Sequence, residues 1–296
     1  MNRPAGKIAG LAAGIVAASF LRAAAEIHYV SPSGLHVAPY ANWAEAATNI
    51  QAAIAASGSN DVVMVTNGAY VLDATVRVTN HVALVSWGGR DEVLLDGSAL
   101  PAGQDAVFLQ YGTLDGFTVS NAPRHGVKSE FGAVYNCLVT HARHNGIDSY
   151  TTPRSVADST LVVTNTIVRN SATNGIYTCA VDTRILDCAI TDSGGTGVSL
   201  RQNDTVAPIQ IPRVSNFLIR ASTVSSNRNS GIMAAFWDYS AALPSVPVRI
   251  ENCRIEDNVG VSGGGIADAG GSNTDRSSGM QITGCLIRRN VVSAYG

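Results

Sequence analysis

A phrase of four residues, repeated seven times, leaves this 296-residue chain few ways to fold. It runs turn residue, small or apolar residue, one variable residue, then Val or Ile. The copies begin at Gly116, Asn136, Asn165, Asp187, Ala221, Asn252 and Gly284. In five of them a Gly stands ten residues after the turn residue, at Gly126, Gly146, Gly175, Gly197 and Gly231, and Val or Ile follows it each time. Spacing is constant inside the unit and irregular between units (20, 29, 22, 34, 31 and 32 residues). That is the mark of stacked repeats joined by loops of different length.

The turn slot is Gly, Asn or Asp in six of the seven copies, the residues that tolerate a left-handed backbone. Such a residue between two short strands makes a sharp corner, and Asn or Asp side chains stacked there can hydrogen-bond along the stack. Strand alternation points the next residue, and the one two beyond it, inward. The Gly and its Val or Ile open another strand. Each unit is therefore expected to be three short strands and three turns, one coil of an all-β solenoid walled by parallel sheet. The longer intervals place loops at 151–160, 202–213, 236–246 and 268–279. Charged residues are only 14% of the chain, against about 25% in ordinary globular domains.

The expected domains are a signal peptide over 1–25, a cap over 26–60 and coils over 61–296. Arg3 and Lys7 precede an apolar run at 8–21 that is too short to span a bilayer, and Ala23-Ala24-Ala25 offers a cleavage site before Glu26. The protein is thus expected to be secreted or held at the cell surface. Without residues 1–25 the 20 basic residues fall to 17, against 22 acidic ones. That balance argues against nucleic acid or an anionic membrane as partner. No membrane insertion is expected once the signal is removed, and the protein is read as a monomer. In the cap, Asn42 and Glu45 form a capping box, and Trp43, Ala47, Ile50 and Ile54 share one helical face. Gly58 ends this amphipathic helix, which plugs the open end of the array. The chain stops at Gly296 in mid-coil, so truncation at the C-terminus is expected. Cys137, Cys188, Cys253 and Cys285 share one repeat slot with Phe117, Thr166 and Ser222. They are read as buried thiols in a column, with Cys253 and Cys285 the one pair to test for a bond.

The repeat, with His28-Tyr29-Val30-Ser31-Pro32-Ser33-Gly34, Pro39-Tyr40, Trp43, Ile50-Gln51 and Asn67-Gly68-Ala69-Tyr70, resembles secreted right-handed parallel β-helix proteins of the pectate-lyase-like superfamily. The resemblance spans nearly the whole chain after residue 25. It implies a right-handed parallel β-helix with an N-terminal capping helix, and a polysaccharide as partner. It carries over no catalytic residue. The paired Asp, Gly-His-Gly and Arg-x-Lys set of polygalacturonases is absent, as are the Asp-Pro-His of alginate epimerases and the Trp-x-Asp-His of one group of pectate lyases.

Two residues past each repeat Gly lies an outward position: Lys128, Asp148, Tyr177, Ser199, Met233. Two further on come Glu130, Tyr150, Cys179, Arg201 and Ala235. The turns before add Arg124, His125, His141, Arg143 and His144. Lys128 is the only lysine after the signal, and three of the six histidines lie in this patch. The spacing suits β-elimination on a uronate glycan, which needs a base for the proton α to the carboxylate and a cation for the charge that develops. Lys128 or His144 is the candidate base, Asp148 the neighbour that tunes Lys128, and Tyr150 the donor to the leaving sugar. Arg124, Arg143 and Arg201 are candidates to bind the carboxylate, with His125, Glu130 and His141 lining the site and Trp237 stacking a sugar from a loop. Solvated polar residues on an outer face are the plain alternative. Calcium on Asp148, Asp182 or Asp204 is the one cofactor considered. The leading reading is a lyase; a hydrolase using Glu130 and Asp148, or a glycan-binding surface protein without catalysis, are the others.

Overall fold

A computed structural model describes residues 25–149, 159–180, 182–203, 216–237, 247–260, 263–268 and 279–293, the side chains of 202–203 and 236–237 excepted. Nearly all of the expected signal peptide, Tyr150, Asp204, most of the four expected loops and the last residues to Gly296 lie outside the described residues. The chain winds as a right-handed parallel β-helix. Sheet 1 holds Val76–Val78, Val107–Asp115, Val127–Tyr135, Ile147–Asp148, Ile176–Thr178, Val198–Asn203, Ile232–Trp237 and Ile266–Asp268. Sheet 2 runs from Ile27–Val30 to Gln281–Thr283, and sheet 3 from Gly68–Val71 to Leu286–Arg288. Two nine-residue strands, Val107–Asp115 and Val127–Tyr135, bend through both sheets 1 and 2 and join them.

The corner slot behaves as the repeat requires. All seven of its residues have positive φ, from 47° at Asn165 to 81° at Gly116, Ala221 included. The expected ladder forms at the start of the column: Asn136 Nδ2 donates to Asp115 Oδ1 (2.7 Å), and Asn165 Nδ2 to Asn136 Oδ1 (2.8 Å). A second left-handed corner, which the repeat reading did not contain, follows five residues later at Asn121, His141, Asn170, Asp192, Ser226, Asp257 and Arg289. It turns the chain from sheet 3 back toward sheet 1.

The slot after the first corner must satisfy a backbone N–H buried between coils. Thr166 Oγ1 accepts from Cys137 N–H (3.3 Å), Ser222 Oγ from Cys188 N–H (3.1 Å) and Cys285 Sγ from Cys253 N–H (3.3 Å). Each acceptor lies one coil beyond its donor, which explains why the slot exchanges Cys, Ser and Thr. All five cysteines are free thiols, Cys253 and Cys285 among them. Burial pushes Cys137 up to about 12 and Cys188 and Cys253 up to about 11.

The repeat Gly has a packing cause. A Cβ on Gly197 would lie 2.6 Å from both Gly231 O and Val224 Cγ1, so only hydrogen fits where the turn runs under the next coil. After Asn252 this Gly comes three residues late, at Gly265, because the strand Val259–Gly260 is inserted before it. In the last described coil Ile282 and Ile287 stand 45% exposed.

The cap departs from expectation. The helix spans Ile50–Ala56 only, with Asn49 as N-cap accepting from Ala52 N–H. Asn42 and Glu45 do bond reciprocally (3.1 and 2.8 Å), but no helix follows them. Ala47 N–H donates to Tyr29 O (2.8 Å) and Ala47 O accepts from Ser31 N–H (2.9 Å), so strand pairing holds this segment extended. Trp43 packs edge-on to Tyr29 and Trp87, ring centroids 4.4 and 5.6 Å away. Ile50, Ala53 and Ile54 are the buried helical face. The backbone of Phe236 and Trp237 lies in the strand Ile232–Trp237, paired with Gln202 and Asn203, and not in a loop.

Candidate functional site

On the outer face of sheet 1 the register aligns Arg77, Phe108, Lys128, Asp148, Tyr177, Ser199 and Met233 in one row. Neighbours in such a row are about 4.8 Å apart. Two residues further along the strands stand Glu130, Cys179 and Arg201. Counting from the repeat Gly thus found the row, but not its first two members, which precede the first Gly.

The centre of the row is an ion pair. Lys128 Nζ donates to Asp148 Oδ1. Asp148 is only 3% exposed, a position a carboxylate keeps only when paired and hydrogen-bonded. Its Oδ2 accepts from Asn145 Nδ2 (2.7 Å) and faces His125 Nε2 at 3.7 Å. No sequence feature singles out Asn145, which follows His144 in the same turn.

His125 and Asn145 belong to a ladder just before the repeat Gly. Asn145 N–H donates to His125 Nδ1 (3.2 Å), Asn174 N–H to Asn145 Oδ1 (3.2 Å) and Thr196 N–H to Asn174 Oδ1 (3.1 Å). Because Nδ1 accepts, the ring proton sits on Nε2, toward Asp148. Burial, the largest influence, pulls His125 below its usual value, against the opposing pull of Asp148 and Asp105. His125, 5% exposed, thus stands buried behind Asp148, whereas the expectation placed it as a substrate contact.

His144 is exposed beside it, its ring edge-on to His125 with centroids 5.6 Å apart. Arg124, also exposed, leans on Asp105 at 3.8 Å. Glu130 accepts from Gln110 Nε2 (3.0 Å). Arg201 Nε donates to Ser199 Oγ (3.1 Å) and its Nη2 to Met233 Sδ (3.5 Å), which lays it along the row. Burial, then Cys179 beside it, pushes the Tyr177 phenol far above its usual value.

At the other end Arg77 Cζ lies 4.5 Å from the Phe108 ring centroid. Its strand is the edge of sheet 1. Gln51 on the capping helix covers that edge with its carboxamide, accepting from Arg77 N–H (2.8 Å) and donating to Arg77 O (3.3 Å). Beyond Gln110, a bulge holds Tyr111 at φ 60° and 45% exposed, stacked on Phe131 with centroids 4.3 Å apart and planes 7° apart.

Two expected members lie elsewhere. His141 sits at the second corner, and with Arg143 it lines a cleft of about 400 Å³ bounded by Gly97, Ser98, Leu100 and Asn121. The corner turns both away from the row. Calcium gains no site from Asp148 and Asp182. Asp148 is committed to Lys128 on sheet 1, whereas Asp182 starts a sheet 2 strand and bonds Arg184 (3.0 Å). One trio of His, Cys, Asp or Glu side chains among the described residues comes within ligand distance, Glu26, His28 and Asp61 in the cap.

The chain matches the family model described as a right handed beta helix region over residues 155–296. No curated protein matches it in sequence. Among solved structures it is similar to the pectate lyase Pel9A, at 14% identity and a TM-score of 0.60, over 90% of this chain and 78% of that one. It is also similar to the deglycosylated pectin methylesterase from Aspergillus niger, at 12% identity and 0.54, over 88% and 90% of the two chains. Escherichia coli YbhC matches at 13% identity and 0.50, over 96% and 87%. At these identities the likeness is one of fold.

Proposed function

We propose that the protein is a carbohydrate-active enzyme that cleaves a uronate-containing polysaccharide by β-elimination, with the sheet 1 row as its binding face. The observation that supports this most is the row itself: Lys128 paired with Asp148, and a guanidinium toward each end of the same face, Arg77 on Phe108 and Arg201 on Ser199. Coils about 4.8 Å apart repeat on the scale of one sugar in an extended chain. By their names, the pectate lyase and pectin methylesterase of like fold act on pectate and pectin.

In the elimination, a base removes the proton on the carbon α to the carboxylate. The electron pair left behind forms a double bond as the glycosidic C–O bond breaks, and the departing oxygen takes a proton. Lys128 holds its own proton in the bond to Asp148, so it serves as the cation facing the enolate-like charge. His144, exposed next to His125, is the base. Asn145 and His125 fix Asp148, and Asp148 fixes Lys128. Tyr150, which follows Ser149 in the sequence, keeps its proposed role as donor to the leaving sugar. The stacked Tyr111 and Phe131 give a flat ledge for a sugar face. We extend the reading to export, with residues 1–25 as a signal peptide, and to a monomer in solution.

Hydrolysis through Glu130 and Asp148 has one argument for it. One coil and two residues apart, they lie on a diagonal of about 7–8 Å, inside the range for inverting glycosidases. Asp148 is too buried and too fully bonded to activate water there, which favours the lyase.

The test is incubation with a panel of uronate polymers. A lyase releases sugar ends with new ultraviolet absorbance, whereas a hydrolase releases reducing ends without it. Lys128→Ala and His144→Ala are each expected to lower the rate by about 10²–10⁴-fold. Lys128→Arg keeps a substantial part of the activity if Lys128 is the cation and loses it if Lys128 is the base. Absence of both products from every polymer rejects the reading.

A further inference from the structure

His28 points inward from the strand Ile27–Val30 and is 2% exposed. Its Nδ1 lies 2.6 Å from Pro39 O. A carbonyl only accepts, so Nδ1 carries a hydrogen. Its Nε2 meets Asp61 Oδ2 at 3.1 Å. In a neutral ring that contact sets one lone pair against another, so a cation must lie between them, a proton or a metal ion. Nδ1–H on a backbone carbonyl with Nε2 presented forward is also the arrangement that orients metal-ligating histidines.

Asp61 is held from behind. Glu26 N–H donates to its Oδ1 (2.9 Å) and Gly58 N–H to its Oδ2 (2.6 Å). The Glu26 N–H is the largest of the influences that hold its carboxyl below the usual value. Both donors are neutral and fix the carboxylate without cancelling its charge. The exposed Glu26 side chain completes the group, and the three ligand atoms all lie within 4.8 Å of one another. Glu26 opens the group to solvent, which gives a metal ion access and leaves room for water ligands.

We propose that Glu26, His28 and Asp61 bind a divalent transition metal of the zinc class. One imidazole nitrogen and two carboxylate oxygens suit zinc, whereas calcium takes six to eight oxygens. The ion would join the first strand of sheet 2 to the start of the next, where His28 pairs with Val63 and Asp61 immediately precedes Val62. It lies on coils that precede Lys128 and plays no part in the proposed elimination, so the two proposals stand or fall separately.

The test uses the full chain without a histidine tag, stripped with a chelator, then titrated with zinc chloride by calorimetry and melted with and without zinc. One zinc ion per chain and a higher melting temperature with zinc are expected. Glu26→Gln, at an exposed position, should leave the metal-free melting temperature unchanged and weaken zinc binding by at least about tenfold. His28→Gln should abolish it. If binding is not saturable and the melts coincide, a proton alone bridges the pair and the proposal fails. It fails equally if Glu26→Gln binds zinc as the wild type does.

Discussion

Two of the ladders of stacked side chains in this molecule differ in where one donor goes. Inside the coils Asn227, Asn258 and Asn290 stand one above another. Asn258 Oδ1 accepts both Asn227 N–H (3.1 Å) and Asn227 Nδ2 (2.9 Å), and Asn258 Nδ2 donates to Val224 O (3.0 Å) and Asn290 Oδ1 (2.9 Å). Every one of these bonds goes to the next Asn or to a backbone carbonyl inside the coils. In the ladder before the repeat Gly, His125, Asn145 and Asn174 also accept or donate along the coils, but Asn145 Nδ2 turns out to Asp148. The first ladder only holds the solenoid together. The second holds it together and also aims a buried carboxylate at the only lysine after the expected signal. Under the proposed function, the fold gains its site by diverting one bond of an otherwise structural stack.

Breaking the inner ladder should have the largest effect on stability. Asn258→Ala leaves the buried Asn227 N–H unpaired and takes the donor from Val224 O, at a cost of about 2–4 kcal/mol. It should appear as a lower urea midpoint, with activity per folded molecule unchanged. On the outer face, Arg77→Ala removes the charge at the far end of the row. KM for an acidic polymer should rise about tenfold with kcat nearly constant, as expected for uniform binding. His125→Asn gives the smallest effect and the sharpest test of the ladder, since its carboxamide oxygen can accept Asn145 N–H as Asn145 itself does for Asn174. Wild-type His125 is held low by burial, so the unfolded chain takes up its proton first. Its contribution to stability is complete above about pH 6.5, the unfolded value, and falls as pH drops toward the folded value. Urea midpoints across that range should show this slope in the wild type and not in His125→Asn.

Local chemistry explains what the sequence made legible. The first corner was readable because Gly, Asn and Asp recur there, and the buried column because Cys, Ser and Thr exchange freely as acceptors. The outward row followed from counting past Gly126 and Gly146. The second corner was missed although four of its seven residues are Asn or Asp, because His141, Ser226 and Arg289 interrupt the pattern. That omission is why His141 and Arg143 were grouped with Lys128. The helix was started too early because Asn42 and Glu45 form their bonds locally, while the pairing of Ala47 with Tyr29 and Ser31 is not visible in the segment itself. Arg77 was missed because it precedes the first repeat, and Asn145 because its partner, Asp148, is set by the fold and not by a motif.

The most direct test of the account is a double-mutant cycle between Asn145 and Lys128, read as kcat/KM on the polymer that the wild type cleaves. If Asn145 acts only through Asp148 on Lys128, Asn145→Ala lowers the rate in the wild type and lowers it no further in Lys128→Ala. If the two losses simply add, the outer ladder does not serve the site, and the link drawn here between the stack and the chemistry is wrong.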